Sequence, residues 1–221
     1  MAWFTNDFNQ FFKDLAKNNN KEWFDANRER FEASVKKPFE AFTGAVIERV
    51  ARYDKAITIT PKEAIFRINR DIRFSKDKTP YKLNCSAIVS PGGRKDHASP
   101  GIYYELGPEH VAIYGGVYMP DKQQLERIRT AIMDDPKGFR KVIEAPAFKK
   151  LFGGVKGEAN KVLPAGFKEA AKKEPLIANK QFYVGTEKPA RMVVAPDLMD
   201  VLIEHYQAMR PFNAWMAKAL Q

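Results

Sequence analysis

The sequence predicts an α+β fold, because the spacing of its apolar residues changes twice along the chain. Helical spacing dominates up to Tyr53, the alternation typical of strands runs from Glu63 to Met119, and helical spacing returns after Asp121. A chain of 221 residues without a linker-like segment fits one large domain. We therefore expect a single domain over residues 1–221, with a central antiparallel sheet of four or more strands flanked by N-terminal and C-terminal helices.

Three helices are expected before the first strand. Thr5 is a suitable cap for the first helix, the second opens after Asn20, and Pro38 is expected to interrupt it before a third helix that reaches Tyr53. The alternating region then predicts four strands, at Glu63 to Asn69, Lys82 to Ser90, Gly101 to Leu106 and His110 to Met119.

The connections in the alternating region carry turn residues. Gly107, Pro108 and Glu109 predict a hairpin turn, and the polar, glycine-rich stretch from Pro91 to Pro100 is expected to be exposed and mobile.

The C-terminal part is predicted to be mainly helical. Asp121 and Gln124 have the spacing of a capping box at the start of a helix. The expected elements that follow are a short helix from Pro136 to Ile143, an irregular segment from Phe148 to Lys161, a helix from Phe167 to Lys173, a strand from Gln181 to Gly185, and a long helix from Pro196 that Pro211 kinks or ends.

Composition limits the classes of function. The 37 Lys and Arg residues against 27 Asp and Glu give a net charge of +10, which favours anionic partners, although the same charge also serves solubility alone. The segment from Met1 to Asp7 lacks the pattern of a secretory leader, and no window reaches membrane-spanning length, so a cytoplasmic protein without a membrane partner is expected. The oligomeric state is left open.

No cofactor or metal is predicted. The three histidines, His97, His110 and His205, show no ligand spacing with one another or with Cys85. Cys85 lies in a predicted strand, where a buried, inert thiol is expected. The pair at Gly115 and Gly116 lacks the surroundings of a phosphate-binding loop, and a β-bulge or a close approach of backbone is the preferred interpretation.

The densest chemistry lies between Phe66 and Lys82, where six cations stand among two acids and three aromatic residues. Alternation along an extended chain places Arg67 on the face opposite to Phe66. Asp71 has the spacing to hold Arg73 in a bidentate pair whose fork faces a carboxylate or phosphate. The alternative is an Arg and Asp network that only fixes a loop.

Two further chemistries were weighed. Glu105 is a strand acid in an aromatic setting, but its parity opposite to Tyr104 predicts that it faces solvent, and no nucleophile-elbow pattern supports covalent hydrolysis.

A nucleic-acid site would use the strand tyrosines for stacking beside Arg67, Arg70 and Arg73, although an RNP-type motif is absent; these tyrosines are Tyr103, Tyr104, Tyr114 and Tyr118.

The run from Arg67 to Lys82 resembles the central motif of a family known as domain of unknown function 2461. Further stretches resemble its other blocks, in the same order: Trp23-Phe24 with Asn27-Arg28, Pro100-Gly101-Ile102-Tyr103-Tyr104, and Gly115-Gly116-Val117-Tyr118-Met119-Pro120 ahead of the helix from Leu125 to Arg129. Tyr118 stands where that family is expected to carry a tryptophan. The resemblance covers nearly the whole chain and implies one intracellular domain with no assigned activity, cofactor or catalytic residue.

The leading hypothesis is a site for a small anionic ligand. By the resemblance, Trp23 and Arg28 are expected to lie near the basic run. The alternatives are a nucleic-acid-associated module and a protein-interaction domain without catalysis. The predicted ligand-binding residues are Arg28, Arg67, Arg70, Asp71, Arg73, Lys76, Lys78, Tyr81 and Lys82.

Overall fold

Four strands form one antiparallel sheet whose order follows the chain, so the predicted α+β class is confirmed. The computed structural model describes residues 2–96 and 98–221. Met1 and His97 lie outside the described residues. The rest of the stretch from Pro91 to Pro100, expected to be exposed, is so only in part, because Gly93 and Ala98 are buried. Its mobility stays a prediction. The strands are β1 Cys85–Val89, β2 Ile102–Leu106, β3 His110–Val117 and β4 Phe182–Pro189.

Helices account for most of the remaining regular structure. The α-helices are α1 Asn6–Lys17, α2 Lys21–Ala26, α3 Arg28–Phe31, α4 Lys37–Ala51, α5 Pro61–Ala64, α6 Lys122–Asp134, α7 Pro136–Ile143, α8 Pro146–Phe152, α9 Ala165–Lys173 and α10 Leu198–Ala219. A π-helical turn spans Glu32–Lys36, and short 3-10 turns lie at Gly93–Lys95, Pro175–Ala178 and Ala190–Val194. No helix in the described part of the chain combines the length and apolar composition needed to cross a bilayer.

The chain divides into two compact units. The first contains the N-terminal segment up to Arg94 together with Tyr103–Ile113 and Glu187–Ile203. The second contains Lys95–Ile102, Tyr114–Thr186 and Glu204–Gln221. The single domain expected over the whole chain stays a prediction.

Aromatic residues fill the core of the first unit. Phe8, Phe11 and Phe12 of α1 are fully buried, as the helical spacing predicts. Phe42 of α4 meets the ring of Tyr104 at a centroid distance of 5.9 Å, and the two rings are perpendicular. Helices α1 and α4 thus supply the apolar faces around which this unit forms.

The second unit has its own aromatic core. Phe148 lies 5.5 Å from Phe212 between ring centroids, and Phe139 lies 4.9 Å from Trp215. His205 is buried against Phe152, with ring centroids 5.8 Å apart, so it is a packed histidine of the last helix.

The expectation that Pro38 interrupts the second helix is wrong. Proline cannot donate the backbone hydrogen bond of its turn, but the chain widens into the π-turn Glu32–Lys36 just before it. In that turn the N–H of Lys37 bonds to the carbonyl of Glu32, five residues earlier. Pro38 then stands in the first turn of α4, where its missing N–H is tolerated.

The predicted strand from Glu63 to Asn69 is also wrong. Thr60 and Glu63 form a capping box that starts the short helix α5, with the Thr60 N–H donating to Glu63 Oε2 at 2.8 Å. Between α5 and β1 the chain forms isolated bridges rather than a strand, at Ile65, Asn69 and Tyr81. The fourth strand is instead β4, which is longer than the predicted Gln181 to Gly185.

Two C-terminal boundaries differ from the prediction. Helix α10 continues through Pro211 to Ala219, although Pro211 was expected to kink or end it. Helix α8 occupies part of a segment expected to be irregular, because Pro146 opens it and Gly153, at a φ of +74°, ends it.

Other local predictions are confirmed. Asp121 Oδ1 accepts from the Gln124 N–H, and Gln124 Oε1 accepts from the Asp121 N–H, each at 2.8 Å, which completes the predicted capping box. The expected hairpin joins β2 and β3, with the Gly107 N–H bonded to the His110 carbonyl at 3.2 Å.

Candidate functional site

The basic run lies on an extended arm of the first unit, residues 65–87. Its two legs pair in antiparallel fashion through isolated bridges between Ile65 and Ala87 and between Asn69 and Tyr81. The first leg lacks the regular ladder of a sheet strand. We call residues 70–79 the tip and the paired legs the base.

Tyr81 anchors the arm to the N-terminal helices. The Asn19 side chain donates to the Tyr81 carbonyl at 3.0 Å and accepts from the Tyr81 N–H at 3.1 Å. The side chain thus makes the pair of hydrogen bonds that a residue of a neighbouring strand would make. The Tyr81 ring stacks on Phe24 with a centroid distance of 4.1 Å and an interplanar angle of 17°. Tyr81 is only 7% exposed, and its ring serves as the anchor of the base.

The tip, residues 70–79, pairs most of its charges internally. Arg73 donates from Nε to Asp71 Oδ1 at 3.0 Å and from Nη2 to Oδ2 at 2.7 Å, the predicted bidentate pair. These bonds lower the pKa of Asp71 to about 2. Lys78 Nζ donates to the Ile72 carbonyl at 2.9 Å. These groups are exposed, so solvent screening leaves each pair little influence on stability.

Arg70 and Asp77 close the loop of the tip. Arg70 Nη1 donates to Asp77 Oδ2 and to the hydroxyl of Thr79. The N–H and the hydroxyl of Thr79 both donate to Asp77 Oδ1 at 2.9 Å. The Thr79 backbone bond and the Arg70 side chain lower the pKa of Asp77 to about 2. The Arg70 head is therefore already bonded to protein oxygens.

Arg67 and Lys82, on the base, lack such partners. In the described part of the chain, no carboxylate oxygen lies within 4.0 Å of either head, and neither head donates a hydrogen bond to the protein. Lys82 is partly buried, with Nζ 5.5 Å from the centroid of the Phe66 ring. Burial lowers the pKa of Lys82; the charge of Glu105 opposes this effect, and that of Arg67 adds to it.

A hydrogen-bonded polar group lies beside Lys82 on the base. Glu105 accepts from the hydroxyl of Tyr103 through Oε1 and from Asn84 Nδ2 through Oε2, the latter at 3.2 Å. The Tyr103 ring meets Phe66 at a centroid distance of 5.8 Å. Glu105 thus lies on the face of β2 opposite to the buried Tyr104, as its parity predicts. We call this cluster the base site: Phe66, Arg67, Lys82, Asn84, Tyr103 and Glu105.

One known protein family matches this chain over most of its length. The profile of the conserved hypothetical protein family DUF2461 matches residues 7–215. The chain belongs to this family. The match includes the arm and confirms the resemblance of its central motif, whereas a search of curated proteins found no match. The family description names no reaction, so the location of a function in this DUF2461 chain rests on the geometry of its side chains.

The remaining predicted site residues lie apart from the base site or point to solvent. Arg28 donates to Asp25 at 2.5 Å and lies 5.6 Å from the centroid of Phe24, the ring on which Tyr81 stacks. Lys76 is exposed on the tip. Arg28 is thus next to the anchor of the arm, while its charge is paired with Asp25 of the preceding helix α2.

The tyrosines proposed to stack on nucleic-acid bases lie in different surroundings. Tyr104 is fully buried and donates to Thr43 Oγ1 at 2.8 Å, and burial raises its pKa, so the expectation that it stacks on bases is wrong. Tyr118, in the second unit, packs its ring edge to face with Tyr183 at 5.3 Å. Instead, Phe74 at the tip of the arm is 95% exposed. Sequence alone does not distinguish such an aromatic residue from a core residue.

The paired glycines of the second unit have a packing role, as preferred from the sequence. A Cβ atom at Gly115 would collide with the side chain of Met209. Gly116 adopts a φ of +92°, and a Cβ there would collide with the carbonyl of Phe182. Close packing therefore explains both glycines in this DUF2461 chain.

A hollow of about 610 Å³ in the first unit was not predicted. It lies along α1, where Lys13 and Lys17 are one turn apart, and Glu109 contributes an acid. Leu83, the neighbour of Lys82, also lines it. The lysines of this hollow provide a comparison for the base site, because they are cations of the same unit outside it.

Proposed function

We propose that the base site binds a small ligand through one carboxylate or phosphate group. The observation that carries this proposal is the ammonium of Lys82, which is partly buried and has neither a hydrogen bond nor an ion pair within the described residues. A partly desolvated charge without a hydrogen bond or a counter-ion is unfavourable, and an incoming anion relieves that cost. Arg67, with no ion pair of its own, stands close enough to lower the pKa of Lys82 and offers a second cation.

The chemistry of the two cations fits a single anionic group. A guanidinium presents a planar fork that matches two oxygens of a carboxylate or phosphate, and an ammonium adds a point charge. Two free cations suit one such group, whereas a polymer requires a longer row. The paired guanidinium groups of Arg70 and Arg73 would first have to leave their carboxylates.

A thermal-unfolding assay with inorganic phosphate and with oxalate tests this proposal. A ligand at about 100 times its Kd stabilises the folded state by about 2.7 kcal/mol. Lys82→Met and Arg67→Gln are expected to remove the shift. Arg73→Gln on the tip and Lys13→Gln in the hollow are the matched controls, and both are expected to keep it. A shift that survives Lys82→Met and disappears in either control would contradict the proposal.

A second candidate function is favoured by the exposure of Phe74. Its ring is 95% exposed at the end of a basic arm, with the guanidinium carbon of Arg73 at 5.8 Å from the ring centroid. Lys76 and Lys78 are exposed on the same tip. An aromatic face among cations suits single-stranded nucleic acid, in which bases stack and phosphates meet the charges.

Binding of an oligothymidylate and of heparin separates stacking from charge. Phe74→Ala is expected to weaken oligonucleotide binding by about 1–3 kcal/mol and to leave heparin binding unchanged, because heparin has no bases. Val162→Ala, at another exposed apolar position, is the control and should change neither. Equal oligonucleotide affinity for the wild type and Phe74→Ala would exclude the tip as a stacking site.

A further inference from the structure

We propose that the hollow along α1 binds a small zwitterion with an apolar body, the class of short apolar peptides with both termini free. Lys13 and Lys17 would meet the carboxylate of such a ligand, and Glu109 would meet its ammonium. The hollow has a volume of about 610 Å³, which lies in the usual range for small-ligand sites. This site is separate from the base site and does not depend on it.

Both acids of α1 are bound by Arg30, which leaves the two lysines of the hollow to other partners. Arg30 Nη1 lies 2.9 Å from Asp14 Oδ2, and Arg30 Nε lies 3.1 Å from Asp7 Oδ1. Within the described part of the chain, no carboxylate oxygen lies within 4.0 Å of the ammonium of Lys13 or Lys17. These two residues are four positions apart, so their side chains leave the same side of the helix. One carboxylate can therefore meet both of them.

Glu109 brings a negative charge to the same hollow from a different element, the turn between β2 and β3. It is exposed, and among the residues that the structure describes no lysine, arginine or histidine nitrogen lies within 4.0 Å of its carboxylate. Glu109 thus lines the hollow together with Lys13 and Lys17 without forming an ion pair with either. Opposite charges that line one hollow and do not meet leave a space that a ligand carrying both charges can bridge.

Apolar side chains supply much of the remaining lining, namely Ala16, Leu83 and Pro108. Leu83 and Pro108 are partly buried. The turn that carries Pro108 is packed closely on Leu83, because a Cβ atom at Gly107 would lie 3.2 Å from the Leu83 carbonyl oxygen. The hollow therefore offers a fixed apolar surface beside its charges. Phosphate and oxalate have no apolar part to cover that surface, so the hollow selects a ligand with an apolar body.

NMR titration of the isotope-labelled full chain with the dipeptide leucyl-leucine, near neutral pH, tests the inference. The expected result is a saturable movement of the backbone amide signals of Lys13, Lys17, Leu83 and Glu109. Glycyl-glycine has the same two charges without apolar side chains and is expected to bind about tenfold more weakly. The inference would be overturned if leucyl-leucine caused no saturable movement at these four positions, or if both dipeptides bound equally.

Two modified dipeptides test the two kinds of charge separately. Leucyl-leucinamide lacks the carboxylate and N-acetyl-leucyl-leucine lacks the ammonium, so each is expected to bind about fivefold more weakly than leucyl-leucine. The double variant Lys13→Gln and Lys17→Gln should lose the preference for the carboxylate, and Glu109→Gln should lose the preference for the ammonium. All three side chains are exposed, so these variants are expected to fold.

Matched controls come from exposed charges of the same unit outside the hollow. Lys62→Gln and Glu48→Gln are expected to keep both preferences of the wild type. Equal affinity of the wild type for leucyl-leucine and both modified dipeptides would overturn the inference. A preference for the carboxylate that survives in the double lysine variant, or one for the ammonium that survives in Glu109→Gln, would also overturn it.

Discussion

The tip and the base of the arm carry similar cations, but the ion pairs of these cations differ. At the tip, Arg70 and Arg73 are bonded to carboxylates within the same loop. At the base, Arg67 and Lys82 have no carboxylate within 4.0 Å among the described residues, and nearby Glu105 is held by other side chains. The lesson is that the density of cations in a sequence does not show which of them are free, because only the structure separates the paired cations from the unpaired ones.

The largest expected effect on the free energy of unfolding comes from removing the Tyr81 ring, which anchors the base. Tyr81→Ala removes a buried ring stacked on Phe24, and the free energy of unfolding measured in urea should fall by about 3–5 kcal/mol. Tyr81→Phe keeps the ring and is the control, with an expected change within about 0.5 kcal/mol. A loss from Tyr81→Ala below about 1 kcal/mol would show that the base is no better fixed than a surface loop.

A smaller effect is expected from the polar half of the same anchor. Asn19→Ala leaves the N–H and the carbonyl of Tyr81 without their side-chain partner, so the free energy of unfolding should fall by about 1–3 kcal/mol. Asn18→Ala is the matched control, because its exposed amide bonds only within its own helical segment, to the Asp14 carbonyl. Equal losses in the two variants would remove Asn19 as a specific support of the arm.

The smallest effect concerns the acids of the tip. The pKa values of Asp71 and Asp77 are lowered to about 2 from an ordinary 3.8, so the unfolded chain binds protons first as the pH falls. Their contribution to stability is present above pH 3.8 and is lost as the pH falls towards 2. A carboxyl-carbon NMR titration checks this, with Arg73→Gln expected to raise the pKa of Asp71 alone. Midpoints near 3.8 in the wild type would contradict the pairing at the tip.

Short-range features of this fold are predictable from the sequence because neighbouring residues determine them. The capping box at Asp121, the fork of Asp71 and Arg73, and the outward face of Glu105 all depend on spacings of two or three residues. The behaviour of Pro38 is not predictable in this way, since a π-turn before the proline removed the conflict.

The division of the arm depends on distant contacts. Asn19 and Tyr81 are 62 positions apart in the chain, and Tyr103 comes from a later strand. The sequence places Arg67 and Arg70 in one basic run, with nothing to indicate that Asp77 pairs with Arg70 alone. The sequence therefore indicates the arm, whereas the separation of its paired and unpaired cations is visible only in the three-dimensional structure.

The protonation of Lys82 tests the central claim most directly. NMR titration of its side chain measures the pKa of Lys82 with and without inorganic phosphate. It shows whether the pKa is lowered in the free protein and whether a bound anion raises it. We predict a pKa below the ordinary 10.5 in the free protein, and a rise when phosphate is added. A pKa at or above 10.5 that phosphate leaves unchanged would contradict the assignment of the base as an anion site.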